Sequence, residues 1–210
     1  MIDFLFLDKN ICYSCKSEEI SRFFLCDSCL SKLDLVDNNF KIDGYDAYAI
    51  YFYNKFMANM IGSYKFNRNT SLYRVFGSLV EFYIKNSKDL SFDFDYILPA
   101  PSSKSTLNRR GFDHIRLITD YFVEKNKMRY LDSFKKIKET KVQHSLSLED
   151  RQKNLRGAFS CHEDLTGKKI LIFDDIITSG NTVREMIRVL EKCKPSQIKI
   201  LALSSSHKVK

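Results

Sequence analysis

The sequence predicts an α/β fold: a mostly parallel sheet flanked by helices, preceded by a small four-cysteine module. Three observations carry this. The apolar run KILIF (169–173) leads into a helical pattern, VREMIRVLEKC (183–193), and then into a second apolar run, IKILALS (198–204). Strand, helix and strand of this length imply a right-handed parallel crossover. FDYILPAPSS (94–103) adds a strand that ends in a Pro-punctuated loop. Ahead of these units stand two CxxC pairs, CYSC and CDSC, with ten residues between them.

Taken in order, residues 1–40 carry four of the six cysteines and little regular periodicity. YDAYAIYFY (45–53) reads as a strand from its aromatic and β-branched alternation. Helical patterns follow around 54–62 and 70–87. In the second, Leu72, Val75, Phe76, Leu79, Val80 and Tyr83 share one face. Ile115, Ile118, Phe122 and Val123 mark a helix after the 94–103 strand. The basic stretch 135–157 has scattered apolar residues without a period and reads as mobile or partly helical. At 210 residues the chain suits one good-sized domain plus a small module. We place the module at 1–40 and the domain at 41–210.

The apolar runs are too short for a membrane span. MIDFLFLDKN has acidic residues on both sides of its apolar run and no basic start, so it does not read as a signal peptide. Six cysteines without an export signal argue for a reducing compartment and for metal rather than disulfides. The expected address is the cytoplasm. The net charge is +8, and it is unevenly spread: residues 101–160 hold fourteen Lys and Arg against seven Asp and Glu. Residues 1–40 carry a net −3. A positive field just ahead of the KILIF strand suits a phosphate-rich ligand or nucleic acid.

Cys12, Cys15, Cys26 and Cys29 have zinc spacing. Each CxxC offers two thiolates, and the two pairs close a tetrahedron. Four protein ligands leave no open coordination position, so the zinc would be structural. Such a thiolate site adds negative charge to an acidic segment, which makes it a poor lone dock for nucleic acid. It is expected to brace the main domain or meet a protein partner. Cys161 and Cys193 have no partnering pattern and read as ordinary core or surface residues.

In an open α/β sheet, ligands bind outside the carboxyl ends of the strands. Asp174 and Asp175 are expected to end the KILIF strand at such a point. The loop Thr178, Ser179, Gly180, Asn181, Thr182 then runs into the next helix, where backbone N–H groups, hydroxyls and the helix dipole form a monophosphate cradle. Neither GxxxxGK[ST] nor GxGxxG is present. Two carboxylates beside a phosphate cradle suit a sugar phosphate.

LIFDDIITSGNT (171–182) resembles the phosphoribosyl pyrophosphate (PRPP) signature of type I phosphoribosyltransferases. With the amino-terminal cysteine quartet, the chain resembles the ComF/GntX family, which joins a small zinc ribbon to a type I phosphoribosyltransferase-like domain and is linked to DNA uptake in competent bacteria. Tyr64-Lys65-Phe66, ILPAPSSK (97–104), RRGFDH (109–114) and TKVQHSLSLEDRQKNLRGAF (140–159) match further elements of that family. Asp113 and His114 stand where it usually has Asn and Gln, and Lys138 where it often has Arg.

The resemblance implies that Asp174 and Asp175 hold the ribose, that Ala100, Pro101, Ser102, Ser103 and Lys104 meet pyrophosphate, and that Mg²⁺ accompanies PRPP. Lys104, Arg109 and Arg110 would neutralise pyrophosphate, and Arg151 with Asn154 would close over the site. His144 reads as a solvated histidine rather than a base. Two activities follow. One is PRPP binding by a protein that also handles incoming single-stranded DNA, tracking it with basic residues and exposed aromatics such as Phe112. A membrane translocase or other competence proteins would be its partners, and it could sit peripherally at the inner membrane. The other is transfer of the phosphoribosyl group to an unknown acceptor. The sequence leaves the oligomeric state open.

Overall fold

The computed structural model describes residues 10–67, 69–138 and 155–206. The main sheet has six strands in the order β1-β2-β8-β7-β3-β4, namely β1 Leu35–Ile42, β2 Tyr45–Phe52, β8 Gln197–Ser205, β7 Lys169–Ile177, β3 Tyr96–Pro99 and β4 Arg129–Tyr130. Every pair is parallel except the β1–β2 hairpin. The edge strand β1 therefore begins inside the first forty residues. A separate ribbon pairs β5 Lys135–Lys136 with β6 Phe159–Ser160. β5 lies at the start of the basic stretch and β6 just past its end, and the interior from 139 to 154 lies outside the described residues.

The helices are α1 Asp27–Leu30, α2 Lys55–Phe66, α3 Leu72–Asn86, α4 Lys104–Arg110, α5 His114–Val123 and α6 Asn181–Leu190. Asn54 caps α2 by accepting from the Met57 N–H at 2.9 Å. Asp113 caps α5, accepting from the N–H groups of Ile115 and Arg116. The apolar stripe of α3 is buried as its period predicts, with Val75, Phe76 and Val80 fully enclosed.

α3 crosses α5 at Gly77. A Cβ added there would lie 2.4 Å from Tyr121 Cβ and 3.0 Å from the Ile118 carbonyl oxygen. Alanine would raise helix propensity by about 1 kcal/mol, but overpacking a contact with so little freedom costs about 1–3 kcal/mol. Gly77→Ala is therefore expected to lower the urea midpoint; an unchanged midpoint would mean that the helices separate without loss.

The strand holding the two aspartates does not stop at them. β7 stays paired with β8 through Ile177, in the register Asp174↔Ala202, Ile176↔Ser204 and Ile177↔Ser205. The acidic pair thus sits within a strand rather than at its end. A chain can run charged residues through a sheet only where something neutralises them, and that partner comes from α2.

Candidate functional site

β3 leads through α4 and α5 to β4 on one side, while β7 leads through α6 to β8 on the other. The connections diverge between β3 and β7, which makes this the topological switch point where such sheets bind ligands. A cavity of about 440 Å³ opens there. It is lined from three directions: Ala100–Ser103 after β3, Asp174–Val183 along β7 and into α6, and Ile61–Phe66 of α2 excluding Ser63 and Tyr64.

The loop after β7 is built as the sequence predicts. Thr178 and Ser179 leave the strand, and Gly180 adopts φ +74° as the cap of α6. This left-handed backbone suits glycine. The first residues of α6, Asn181, Thr182 and Val183, line the cavity, so the positive end of the helix dipole adjoins it.

The two aspartates are not equivalent. Both line the same cavity, but to different depths. Asp174 is half-buried at the cavity, whereas Asp175 is 5% exposed. The Lys65 ammonium, from the last turn of α2, makes an ion pair with Asp175 Oδ2, and His114 Nε2 lies 3.4 Å from the same oxygen. The Arg110 guanidinium in turn contacts His114 Nδ1. Burial alone would raise the Asp175 carboxyl, but Lys65 and His114 outweigh it and hold it well below the usual carboxylate range. For Asp174, burial and the neighbouring Asp175 charge act together and push its carboxyl well above that range. Burial also lowers His114. The result is one firmly ionised carboxylate beneath the cavity and one carboxyl at its surface that gains from hydroxyl or cationic partners.

After β3, the Ala100 N–H still bonds to the Phe173 carbonyl at 2.8 Å, which fixes where the loop leaves the sheet. Pro101 and Ser102 face the cavity. Ser103 lines it too, but its hydroxyl is engaged in capping α4 through the Thr106 N–H at 3.2 Å. Lys104 is exposed on α4 and is not part of the wall, whereas Arg109 and Arg110 are. Arg151, Asn154 and His144 lie outside the described residues.

Two site residues carried no role in the sequence reading. Lys65 is one. The other is Phe66, which is 61% exposed at the cavity rim with the Arg110 guanidinium 5.8 Å from its ring. Phe112, expected to be an exposed aromatic, is half-buried against Tyr64 with ring centroids 5.4 Å apart. The Tyr64 hydroxyl donates to the His114 carbonyl at 2.8 Å. Tyr64-Lys65-Phe66 thus sends three successive side chains to the core, to the buried carboxylate and to the rim.

The cysteine quartet forms a separate cluster, none of whose members lines the cavity. The sulfurs of Cys12, Cys15, Cys26 and Cys29 all lie within 4.8 Å of one another, and Cys15 Sγ is 3.7 Å from Cys26 Sγ. A tetrahedral Zn²⁺ with Zn–S near 2.3 Å places sulfurs about 3.8 Å apart, so the quartet fits zinc. It is the one group of three or more potential metal ligands among the described residues. The second pair opens a single helical turn, α1. The module packs on the domain through aromatics: Tyr13 stacks on Phe24 at 5.3 Å, Phe24 meets Tyr121 of α5 edge-on at 6.3 Å, and Phe23 lies 5.1 Å from Phe82 of α3. Arg22 sits 4.4 Å from both Phe23 and Phe82. Cys161 and Cys193 are both buried, with the Cys193 thiol 3.6 Å from the Cys161 carbonyl oxygen.

Comparison with known proteins agrees with this layout. The family described as phosphoribosyl transferase domain matches residues 106–208. Competence protein F of Haemophilus influenzae is 29% identical over 112 residues, which are 51% of this chain and 49% of that protein. Competence protein ComFC of Streptococcus pneumoniae is 28% identical over 155 residues, 74% of this chain and 66% of that protein. DNA utilization protein YhgH of Escherichia coli K12 is 33% identical over 64 residues, 30% of this chain and 28% of that protein. The matched region thus spans about half the length of the first relative and just under two thirds of the second. No described helix is long and apolar enough to cross a membrane. With its match to the phosphoribosyl transferase domain and its amino-terminal cysteine cluster, the chain is similar to these competence and DNA utilization proteins.

Proposed function

We propose that the cleft binds PRPP and that the protein works on single-stranded DNA during DNA uptake in the cytoplasm. One observation carries the first part: a single cavity brings together the half-buried Asp174, the Thr178–Thr182 loop with the start of α6, and the Pro101–Ser102 loop. These supply, in turn, an acceptor for ribose hydroxyls, a phosphate cradle and a second anion-facing loop. Asp174→Asn is expected to weaken PRPP binding at least tenfold by calorimetry, about 1.4 kcal/mol. Asp174 is the better probe than Asp175, because Asp175 is also tied into the fold. Unchanged affinity would remove the assignment.

Mg²⁺ fits this site only as a companion of the ligand. Asp175 is engaged by Lys65, and among the described residues no group of three or more potential ligands includes Asp174, too few for a protein cage. Oxygens of pyrophosphate and ribose would complete the shell, with Mg²⁺ supplying charge neutralisation when bound.

The DNA reading is supported by the names of the relatives and by the cavity rim. Arg109, Arg110 and the exposed ring of Phe66 stand together there, a combination of charge and stacking surface that suits single strands. Phe66→Ala is expected to weaken single-stranded DNA binding by about 1–3 kcal/mol, and wild-type affinity to fall as salt rises by about 0.7 log units per log unit for each phosphate neutralised. A flat salt response, or an indifferent Phe66→Ala variant, would sink it.

Phosphoribosyl transfer is the second reading, favoured by Asp174 itself, a carboxyl at the cavity surface whose ionisation is assisted by a cationic centre. In it the acceptor attacks C1 of the ribose as pyrophosphate departs toward Arg109 and Arg110, and Asp174 faces the positive charge developing on the sugar. Pyrophosphate release from PRPP, measured with and without DNA, separates transferase from binder.

A further inference from the structure

His114 is almost fully buried, at 5% exposure, yet it stands between two charged groups of the cavity. Its Nδ1 contacts the Arg110 guanidinium and its Nε2 faces Asp175 Oδ2 at 3.4 Å. A guanidinium has donors only, so Nδ1 must present its lone pair, and the single ring proton of a neutral imidazole must then sit on Nε2, the nitrogen nearer the carboxylate. Both nitrogens are thereby assigned by their neighbours. The ring is also held from behind: Tyr64 donates to the His114 carbonyl at 2.8 Å, and Asp113 caps the helix that His114 opens.

Arg110 is the group this arrangement controls. It sits at the left-handed Gly111 end of the short helix α4, and no carboxylate forms a direct ion pair with it among the described residues. Its fixed contacts are His114 Nδ1 and the Phe66 ring. One N–H is used on the imidazole, which leaves the rest of the fork available to the cavity it lines. Lys65 already neutralises Asp175, so Arg110 is not needed for that charge and its own remains available to an anion.

We infer that His114 is a positioning residue, a neutral donor–acceptor bridge from Asp175 to Arg110 that presents the Arg110 guanidinium to the pyrophosphate group of the ligand. The inference rests on the PRPP reading of the cavity. It has a chemical consequence: any neutral side chain with a donor and an acceptor at similar reach can substitute, so glutamine, donating through Nε2 to Asp175 and accepting through Oε1 from Arg110, preserves the bridge. Phenylalanine fills the space and breaks it. A burial-only role for His114 predicts the reverse order, because phenylalanine is the better core residue.

The test uses the full-length protein with PRPP and with inorganic pyrophosphate as probes. Wild type and His114→Gln are expected to bind pyrophosphate within about threefold of each other, while His114→Phe and Arg110→Ala each lose about tenfold. The double variant should lose no more than either single one, since both remove the same presented guanidinium. Nitrogen-15 spectra of the wild type at neutral pH should show Nδ1 unprotonated and Nε2 carrying the proton. Urea unfolding of each variant separates loss of fold from loss of binding. If His114→Phe keeps wild-type affinity, if His114→Gln fails while folded, if the two losses add, or if the proton is on Nδ1, the bridge is wrong and the PRPP site stands. If the wild type binds neither PRPP nor pyrophosphate, the reading of the cavity falls and takes this inference with it.

Discussion

Lys65→Met is expected to destabilise the protein by about 3–5 kcal/mol, because it strips the counter-charge from a carboxylate that cannot reach water. Asp175 is enclosed, and its Oδ2 makes no well-aligned hydrogen bond; the nearby ammonium is what holds its charge. The pH dependence gives the sharper test. In the wild type the Asp175 carboxyl lies below its unfolded value near 3.9, so the folded state binds fewer protons than the unfolded one. That contribution is fully present above about pH 4 and is lost as pH falls through the folded value. In Lys65→Met, burial dominates and the carboxyl shifts upward, so the same group stabilises less as pH rises. The difference in unfolding free energy between the two proteins should therefore shrink steadily from pH 6 toward pH 3. A constant difference over that range would show that Lys65 contributes packing rather than charge.

That ion pair also explains what was legible in the sequence and what was not. The sequence pattern places a helix around 54–62 and ends the KILIF strand at Asp174 and Asp175. In the structure the helix runs on to Phe66 and the strand to Ile177. Both extensions share one cause: Lys65 in the extra turn neutralises Asp175 in the extended strand, across 110 residues of sequence. Periodicity is a local signal and cannot register a contact at that separation. The α4 helix escaped for another reason. It has no buried residue and hence no apolar stripe, although Ser103 at its start and Gly111 at its end are ordinary cap residues that bracket it.

The turn from β7 into α6 and the convergence of the four cysteines were legible because both are set by short-range spacing. A left-handed glycine before a helix and two CxxC knuckles need no distant partner to be recognised. How the module meets the domain was less legible. Residues 10–33 show almost no periodicity, yet Cys12, Tyr13, Leu25, Cys26 and Cys29 are continuous with the main core. The side chains that join them, Tyr13, Phe23 and Phe24, meet Tyr121 and Phe82 on α5 and α3, contacts too distant in sequence for a local pattern to register.

Removal of zinc is accordingly expected to do more than melt a ribbon. In isolated zinc-finger peptides the metal contributes an apparent ~10–16 kcal/mol, which is the whole of their folding free energy. Here the module is also held by its aromatic contacts and by the Arg74 guanidinium donating to the Tyr13 hydroxyl at 3.4 Å. Burial raises the Cys26 and Cys29 thiols, so without a cation these two lose their charged form. Protein purified without chelator should contain one zinc per chain, and Cys12→Ser should lose it. The loss should lower the melting temperature by several degrees and expose the outer faces of α3 and α5, read as increased binding of a hydrophobic dye. PRPP affinity should suffer less than stability, because Tyr121 meets the module near the carboxyl end of α5 while His114 opens the helix, about 10 Å away at 1.5 Å per residue. Metal-free protein with an unchanged melting temperature would show that the four sulfurs are held by packing alone. Collapse of PRPP binding in step with zinc loss would show that the module holds the cleft itself rather than the far end of one helix.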